Sequence, residues 1–479
     1  MIARMAVVRA ALIVGGLAAI AGFWWSSRTN PPIGVVVVTL DTTRADRLSP
    51  YGFMNVSLPH LERLAREGVA FDQATSVAPL TLPAHTSLFT GLLPPNHGVR
   101  DNSDTALAEG HTTLAEALLA RGFRTGAFVG SIVLDPARGL KQGFERYQAV
   151  PASDHQAPES RQRRADEVMN DAIHWLDTVA GSRFFLWTHL YDPHRPYDPP
   201  EPYRSTYGHN LYVGEIAFAD SQIGRLLQAL EQRQLLDRTV VVVAGDHGES
   251  LGGHGERDHG IFIYEDVIRV PLILRAPALR PTRIAEIVRL TDVMPTVLDL
   301  LDVPSPPGDG VSLVDLMNGR SRDLNLEAYS ESLYPQRLGW SPLRALRNGR
   351  FKLIDAPRPE LYDLEDDSVE EKNIYDERRA LAEQMTARLA VVAKGRGSPS
   401  TPQPQQGVGQ DLQAKLASLG YLSSGGRHQS SSSDARPDPK DCVGSYTRTP
   451  GSPPVLPSCG PWHPTDDIDS IFPAPPPRR

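Results

Sequence analysis

Residues 239–252 read TVVVVAGDHGESLG. The unbroken valine run has no polar face, which predicts a strand buried on both sides. It stops at Gly245, and Asp246, His247 and Gly248 follow in a turn. Residues 35–40, VVVVTL, repeat the form and end at Asp41. Such strands, alternating with helical patterns, predict a mainly parallel sheet with helices on both faces. Function in such a sheet gathers beyond the carboxyl ends of the strands. A lone strand-end Asp is ordinarily a turn former or a helix cap. Two such ends, one bearing Asp-His, point to a metal site. Carboxylate oxygen and imidazole nitrogen suit zinc or manganese, or calcium and magnesium where nitrogen is scarcer.

Outward from these runs, residues 126–129, 184–189 and 271–274 read as further strands. Ser57 is placed to cap a helix that carries Leu58, Leu61, Leu64 and Ala65 and ends near Gly68. Residues 114–119 form another helix, and Ile216, Ile223, Leu226, Leu227 and Leu230 line a longer one. This α/β unit occupies residues 31–325. A smaller α+β unit occupies 326–395. There, 343–346 and 351–354 read as a hairpin around Asn348-Gly349, a pair that favours a primed turn with two positive φ angles. Residues 361–364 add a strand and 377–392 a helix. From 396 to 479 the composition turns to Pro, Ser and Gly, which predicts disorder apart from an apolar island at 412–422, a candidate docking helix.

The chain has 479 residues and a net charge of −8, with no basic stripe, so nucleic acid is excluded as a partner. Its only cysteines, Cys442 and Cys459, are either a small tail disulfide or two idle thiols. Residues 1–30 read as a signal anchor or a cleaved signal peptide. Arg4 and Arg9 precede an uncharged, mostly apolar run at 10–25. Either way the chain is expected to be exported, anchored in the inner membrane and facing outward, or secreted.

Residues 79–91 read PLTLPAHTSLFTG. Thr81 precedes Pro83 at the start of a helix. There it is either an N-cap or a hydroxyl that a metal could activate as a nucleophile, with helix amides facing an anion.

These pieces together resemble the sulfatase branch of the alkaline phosphatase superfamily. That family's motif of Cys or Ser, any residue, then Pro-Ser-Arg and a closing Thr-Gly is matched by Thr81-Leu82-Pro83-Ala84-His85 and Thr90-Gly91. Thr81 stands in the nucleophile column and His85 in the arginine column. Asp41 closes the first metal-binding strand. Residues 189–197, HLYDPHRPY, are similar to the family's substrate-histidine segment, with His194 as that histidine. Residues 246–252 and His259-Gly260 resemble the second metal segment. Phe351-Lys352 and residues 360–364 look like the C-terminal subdomain.

The resemblance implies that Asp41, Asp246 and His247 hold a divalent ion (zinc, manganese or calcium) that also meets Thr81. His194 and His259 are the further catalytic groups, and His85, Asn102 and Ser131 meet the anionic ester substrate. A second ion, on His194, His259 and Asp192, is the alternative arrangement. The departures bear on substrate. Formylglycine, made from the motif Cys or Ser, has a hydrate whose second hydroxyl expels sulfate. Thr81 cannot become it. The sulfate-binding Lys and His are also absent from Gly130-Ser131-Ile132-Val133. A phosphate mono- or diester hydrolase is therefore expected ahead of a sulfatase or an envelope phosphoethanolamine-type transferase.

Overall fold

The computed structural model describes residues 32–102, 105–150, 162–277, 279–396 and 436–446. The expected signal segment at 1–30 and the island at 412–422 lie outside them. No helix among the described residues is long and apolar enough to cross a membrane.

In chain order the large sheet uses β1 (Gly34–Leu40), β2 (Val69–Thr75), β3 (Arg124–Val129), β4 (Arg146–Gln148), β5 (Phe184–Leu190), β6 (Thr239–Gly245), β7 (Arg269–Arg275) and β8 (Thr282–Arg289). Their spatial order is β4-β3-β5-β1-β6-β7-β2-β8. Strand β7 runs against both of its neighbours, and every other pairing is parallel.

The valine runs follow from the two-residue period of a strand. Val35, Val37, Val240 and Val242 enter one core, with Phe185 and Trp187. Val36, Val38, Val241 and Val243 enter the other, with Phe184 and Leu186. Each face is covered, so the valine runs have no polar face. Full burial stabilises each such side chain by about 1.5–3 kcal/mol. The second core takes the helices Pro59–Glu67, Ala165–Thr178 and Leu211–Gln232.

A second sheet, antiparallel throughout, has the order β12-β11-β10-β9. Its strands are β9 (Ala328–Ser332), β10 (Leu343–Arg347), β11 (Phe351–Asp355) and β12 (Glu360–Asp363). Ala382, Met385 and Leu389 of the helix Arg379–Ala393 pack on Leu346, Leu353 and Leu361.

Three expectations change. Ser57 does not cap the first helix: Asp220, remote in sequence, accepts from the amides of His60 (3.3 Å) and Leu61 (2.7 Å) instead. The hairpin turn is not primed, since neither Asn348 nor Gly349 has a positive φ. Asn348 pairs with Phe351 (N to O, 3.0 Å), so Gly349 and Arg350 form the corner. The Asn348 side chain accepts from the amides of Arg350 (3.2 Å) and Phe351 (2.8 Å), an Asx turn in place of positive φ.

The third change is in the tail, where residues 436–446 carry an ordered helix, Pro439–Tyr446. Cys442 is fully buried and disulfide-bonded, and Cys459 is the chain's only other cysteine. The Ser341 amide donates to the Pro437 carbonyl (3.0 Å), Lys440 pairs with Glu360, and Asp441 pairs with Arg358 (2.7 Å). A covalent link and ion pairs order what composition alone could not.

Candidate active site

Strands β1, β5 and β6 are neighbours, with Leu40 in register with both Leu190 and Gly245. Asp41 and Asp246 therefore emerge side by side, one residue beyond the pairing. The Asp41 amide donates to the Leu190 carbonyl (3.0 Å) and the Asp246 amide to that of Leu40 (3.2 Å). Both side chains are fully buried. Asp246 Oδ1 accepts from the amides of His247 (2.7 Å) and Thr42 (3.2 Å). Asp246 Oδ2 and both oxygens of Asp41 have no hydrogen-bond partner. Burial raises both carboxyls, and for Asp246 the nearby Asp41 charge adds to it.

His247 Nε2 lies 3.7 Å from Asp41 Oδ1 and 3.7 Å from Asp246 Oδ2. Its Nδ1 donates to the Gly248 carbonyl (3.0 Å), which leaves Nε2 as the lone-pair nitrogen. Ligand atoms of Asp41, Asp246 and His247 all lie within 4.8 Å of one another. Buried, unpartnered carboxylate oxygens beside an imidazole lone pair are a donor set that fits a divalent cation.

Thr81 opens the helix Thr81–Thr90, all ten residues of which are buried. It does not cap the helix: Leu80 holds the cap position and no side chain bonds there. The Thr81 hydroxyl is 3.4 Å from His247 Nε2. Asn102 Oδ1 accepts from the Leu82 amide (2.9 Å), while its buried Nδ2 has no partner.

His85 and Ser131 do not meet the substrate role expected of them. The network sets the His85 tautomer: Trp187 Nε1 donates to Thr39 Oγ1 (3.0 Å), which donates to His85 Nε2 (2.9 Å), while His85 Nδ1 donates to the Thr81 carbonyl (2.7 Å). Both ring nitrogens are thus committed inside the protein, where His85 fastens the residue carrying the hydroxyl. Ser131 Oγ accepts from the Val133 amide (3.3 Å), capping the turn Ile132–Leu134.

His194 and His259 are brought together, with ring centroids 5.1 Å apart, and His259 is 4.5 Å from His247. Burial keeps His194 at about 4, hence neutral at pH 7. His194 Nδ1 lies 2.6 Å from the Arg195 carbonyl and 2.7 Å from the Tyr191 hydroxyl. His259 Nδ1 lies 3.1 Å from Glu249 Oε1, and Tyr197 donates to the other Glu249 oxygen (3.2 Å). Arg195 pairs with Asp258 (2.6 Å), tying the two histidine loops together.

Asp192 does not join this pair in a second ion site. It belongs to neither potential metal-holding group among the described residues. Its Oδ2 instead accepts from the Ala165 amide (2.7 Å). It faces a cavity of about 290 Å³, also lined by Arg163, Arg164, His194 and Glu215.

The sulfatase family model matches residues 34–303. The chain belongs to the sulfatase family. A model for the C-terminal part of N-sulphoglucosamine sulphohydrolase matches residues 252–394 of this sulfatase-family chain. An ulvan-active sulfatase of Formosa agariphila is 26% identical over 367 residues, covering 66% of this chain and 71% of the relative. A choline-sulfatase of Rhizobium meliloti is 34% identical over 183 residues, 36% of this chain and 34% of the relative. The solved phosphonate monoester hydrolase of Agrobacterium radiobacter shares the fold, with a TM-score of 0.65 at 21% identity, covering 76% of this chain and 95% of that one. The protein is thus a hydrolytic enzyme of a family that is typically dependent on divalent metal.

Two positioning residues of this sulfatase-family site were missed in the sequence. Glu249 stood in the quoted 239–252 stretch without a role. Thr42 takes a positive φ of 46°, unusual for a β-branched residue. Its amide reaches Asp246, its hydroxyl donates to the Pro193 carbonyl (2.8 Å), and its own carbonyl accepts from Tyr212 (2.7 Å). It thereby joins the Asp41, Asp246 and His194 segments. No local pattern marks such a residue, because all its partners are distant in sequence.

Proposed function

We propose that this sulfatase-family hydrolase cleaves phosphate mono- or diesters, with Thr81 as the nucleophile. The observation that carries the proposal is the buried Thr81 hydroxyl at the edge of the carboxylate-imidazole cluster, 3.4 Å from His247 Nε2, on a side chain with a single oxygen. Asp41, Asp246 and His247 would hold a divalent ion, whose positive charge favours the ionised hydroxyl and the developing charge on the transferred group.

Thr81 Oγ1 attacks phosphorus in line, the bond to the ester oxygen breaks, and the phosphoryl group is carried on the threonine. Glu249 orients His259 so that its Nε2 edge receives the hydroxyl proton and returns it to the leaving oxygen. Water then attacks phosphorus as the bond to Thr81 Oγ1 breaks, and His259 takes the water proton and returns it to Oγ1. Asn102 Nδ2, unpartnered beside the helix start, donates to a non-bridging oxygen. The cavity that shares His194 as a wall receives the leaving alcohol. Burial pushes Glu215 up to about 9 there, so at neutral pH it is an un-ionised acid able to donate to a polar leaving group.

A sulfate-ester reading is supported by relatives named as sulfatases. A sulfated threonine, however, lacks the second hydroxyl that would expel sulfate. The test compares kcat/KM for a matched aryl phosphate, phosphodiester and sulfate on metal-loaded enzyme. Phosphoesters should lead, and Thr81→Ala should abolish their turnover. Faster sulfate hydrolysis over multiple turnovers overturns the proposal, and transfer to an added alcohol in preference to water would indicate a transferase. Export rests on residues 1–30. It predicts that the full chain is found in the exported or membrane fraction, and recovery in the cytoplasm would refute it.

A further inference from the structure

We propose that His189 completes the metal centre, and that its nitrogen makes the site select a zinc-class transition ion over calcium or magnesium. The inference rests on the reading that Asp41, Asp246 and His247 hold an ion.

His189 lies near the carboxyl end of β5, paired in register with Thr39 of β1 and Val129 of β3. It is fully buried, and neither ring nitrogen has a hydrogen-bond partner. Its Nε2 is 3.3 Å from Asp41 Oδ2, itself unpartnered. Buried imidazoles normally satisfy their nitrogens, and this protein supplies its own controls. His97, 3% exposed, has Nε2 2.9 Å from the Ser87 hydroxyl and accepts at Nδ1 from the Val99 amide (3.0 Å). His85, its ring centroid 5.0 Å from that of His189, has both nitrogens committed to Thr39 and Thr81. Although His85, His189 and Asp246 come within 4.8 Å as ligand atoms, His85 is already spent. The nitrogen with no other use is that of His189, and it stands against a carboxylate with no other use.

The two groups of potential ligands among the described residues, His85-His189-Asp246 and Asp41-Asp246-His247, share Asp246, so the imidazoles of His189 and His247 flank the same two carboxylates. Calcium takes roughly six to eight oxygen ligands. Here the unpartnered buried carboxylate oxygens are the two of Asp41 and Oδ2 of Asp246. Two buried nitrogens against the same carboxylates suit zinc and its transition-series neighbours.

The first experiment uses the unmodified full chain loaded with zinc. X-ray absorption at the zinc edge should show two imidazole ligands, and a single one overturns the assignment. The second compares competitive zinc and calcium binding in the parent, His189→Gln and Asp246→Ala chains, with circular dichroism as the folding check. His189→Gln should weaken zinc by more than ~100-fold, beyond the ~10–100-fold usual for an outer-shell partner. It should leave calcium nearly unchanged and alter the visible absorption of the cobalt-substituted protein. Unaltered zinc affinity and cobalt spectrum in a folded variant reject His189 as a ligand. If Asp246→Ala also retains zinc, the metal site itself has been misread, which separates the two failures.

Discussion

Two of the buried charge clusters among the described residues are built in opposite ways. At the ends of β1 and β6, Asp41 and Asp246 stand side by side with no cationic side chain against them and oxygens lacking partners. Below the second sheet, Lys352 of β11 is equally buried, yet its ammonium lies 2.8 Å from Glu370 and 3.2 Å from Glu265, and Glu265 also pairs with Arg347. The second cluster neutralises itself and joins the small sheet to the segment that precedes β7. The first is left incomplete by the chain and fits an added cation. Buried charge alone therefore marks nothing; side-by-side buried carboxylates with no cationic side chain against them mark the candidate site.

That contrast can be broken most sharply at Asp246. Asp246→Asn should lower turnover by at least ~10³-fold, on the scale of losing a principal electrostatic group. It should also stabilise the metal-free protein by ~1–3 kcal/mol, because a neutral amide replaces an unpaired buried charge. Activity assays and thermal unfolding in chelator check both. A destabilised metal-free variant would mean that the carboxylate already has a partner.

Lys352→Met should go the other way, losing ~3–5 kcal/mol by stranding Glu265 and Glu370, while metal content per folded molecule stays unchanged. Denaturant unfolding with elemental analysis reads it. Removal of metal should lower the melting temperature of the parent, by the equivalent of ~4 kcal/mol if metal had been present at a thousand times its Kd. It should not lower that of Asp246→Asn.

Ending the chain after Gly425 removes the docked helix that buries Cys442 and Val443. The expected cost is ~1–3 kcal/mol, with kcat within error. A large fall in kcat would mean that the helix supports the adjoining loop, where Gly255 faces Val443. A pH-dependent effect belongs to Glu215. Burial holds its folded pKa at about 9, above the unfolded value near 4.5. The folded state thus binds the extra proton, and stability falls as pH rises through that window. Glu215→Gln should flatten this fall by at most ~1.4 kcal/mol per pH unit. An unchanged slope would show that Glu215 does not titrate there.

The sequence by itself determined the strands β1, β3, β5, β6, β7, β10, β11 and β12, the parallel architecture of the large sheet and the order of the motif segments. The valine runs are buried on both faces, and burial of that kind is written in composition. It also showed Asp41, Asp246 and His247 as residues to watch, because strand ends announce their side chains locally, while Thr81, His194 and His259 were marked by the resemblance of their segments to the family's motifs. Strands β2, β8 and β9 went unread, since polar residues such as Asp72, Gln73, Arg283, Glu286 and Glu331 interrupt them and their pairing partners are remote. Only the tertiary structure decided that His85 is spent on Thr39 and Thr81, that Ser131 caps a turn, and that Asp192 faces a cavity instead of an ion. It alone showed that His189, Glu249 and Thr42 belong to the site. The physical reason is the same in each case: a side chain's role depends on which hydrogen-bonding atoms its neighbours leave free, and those neighbours come from other segments of the chain.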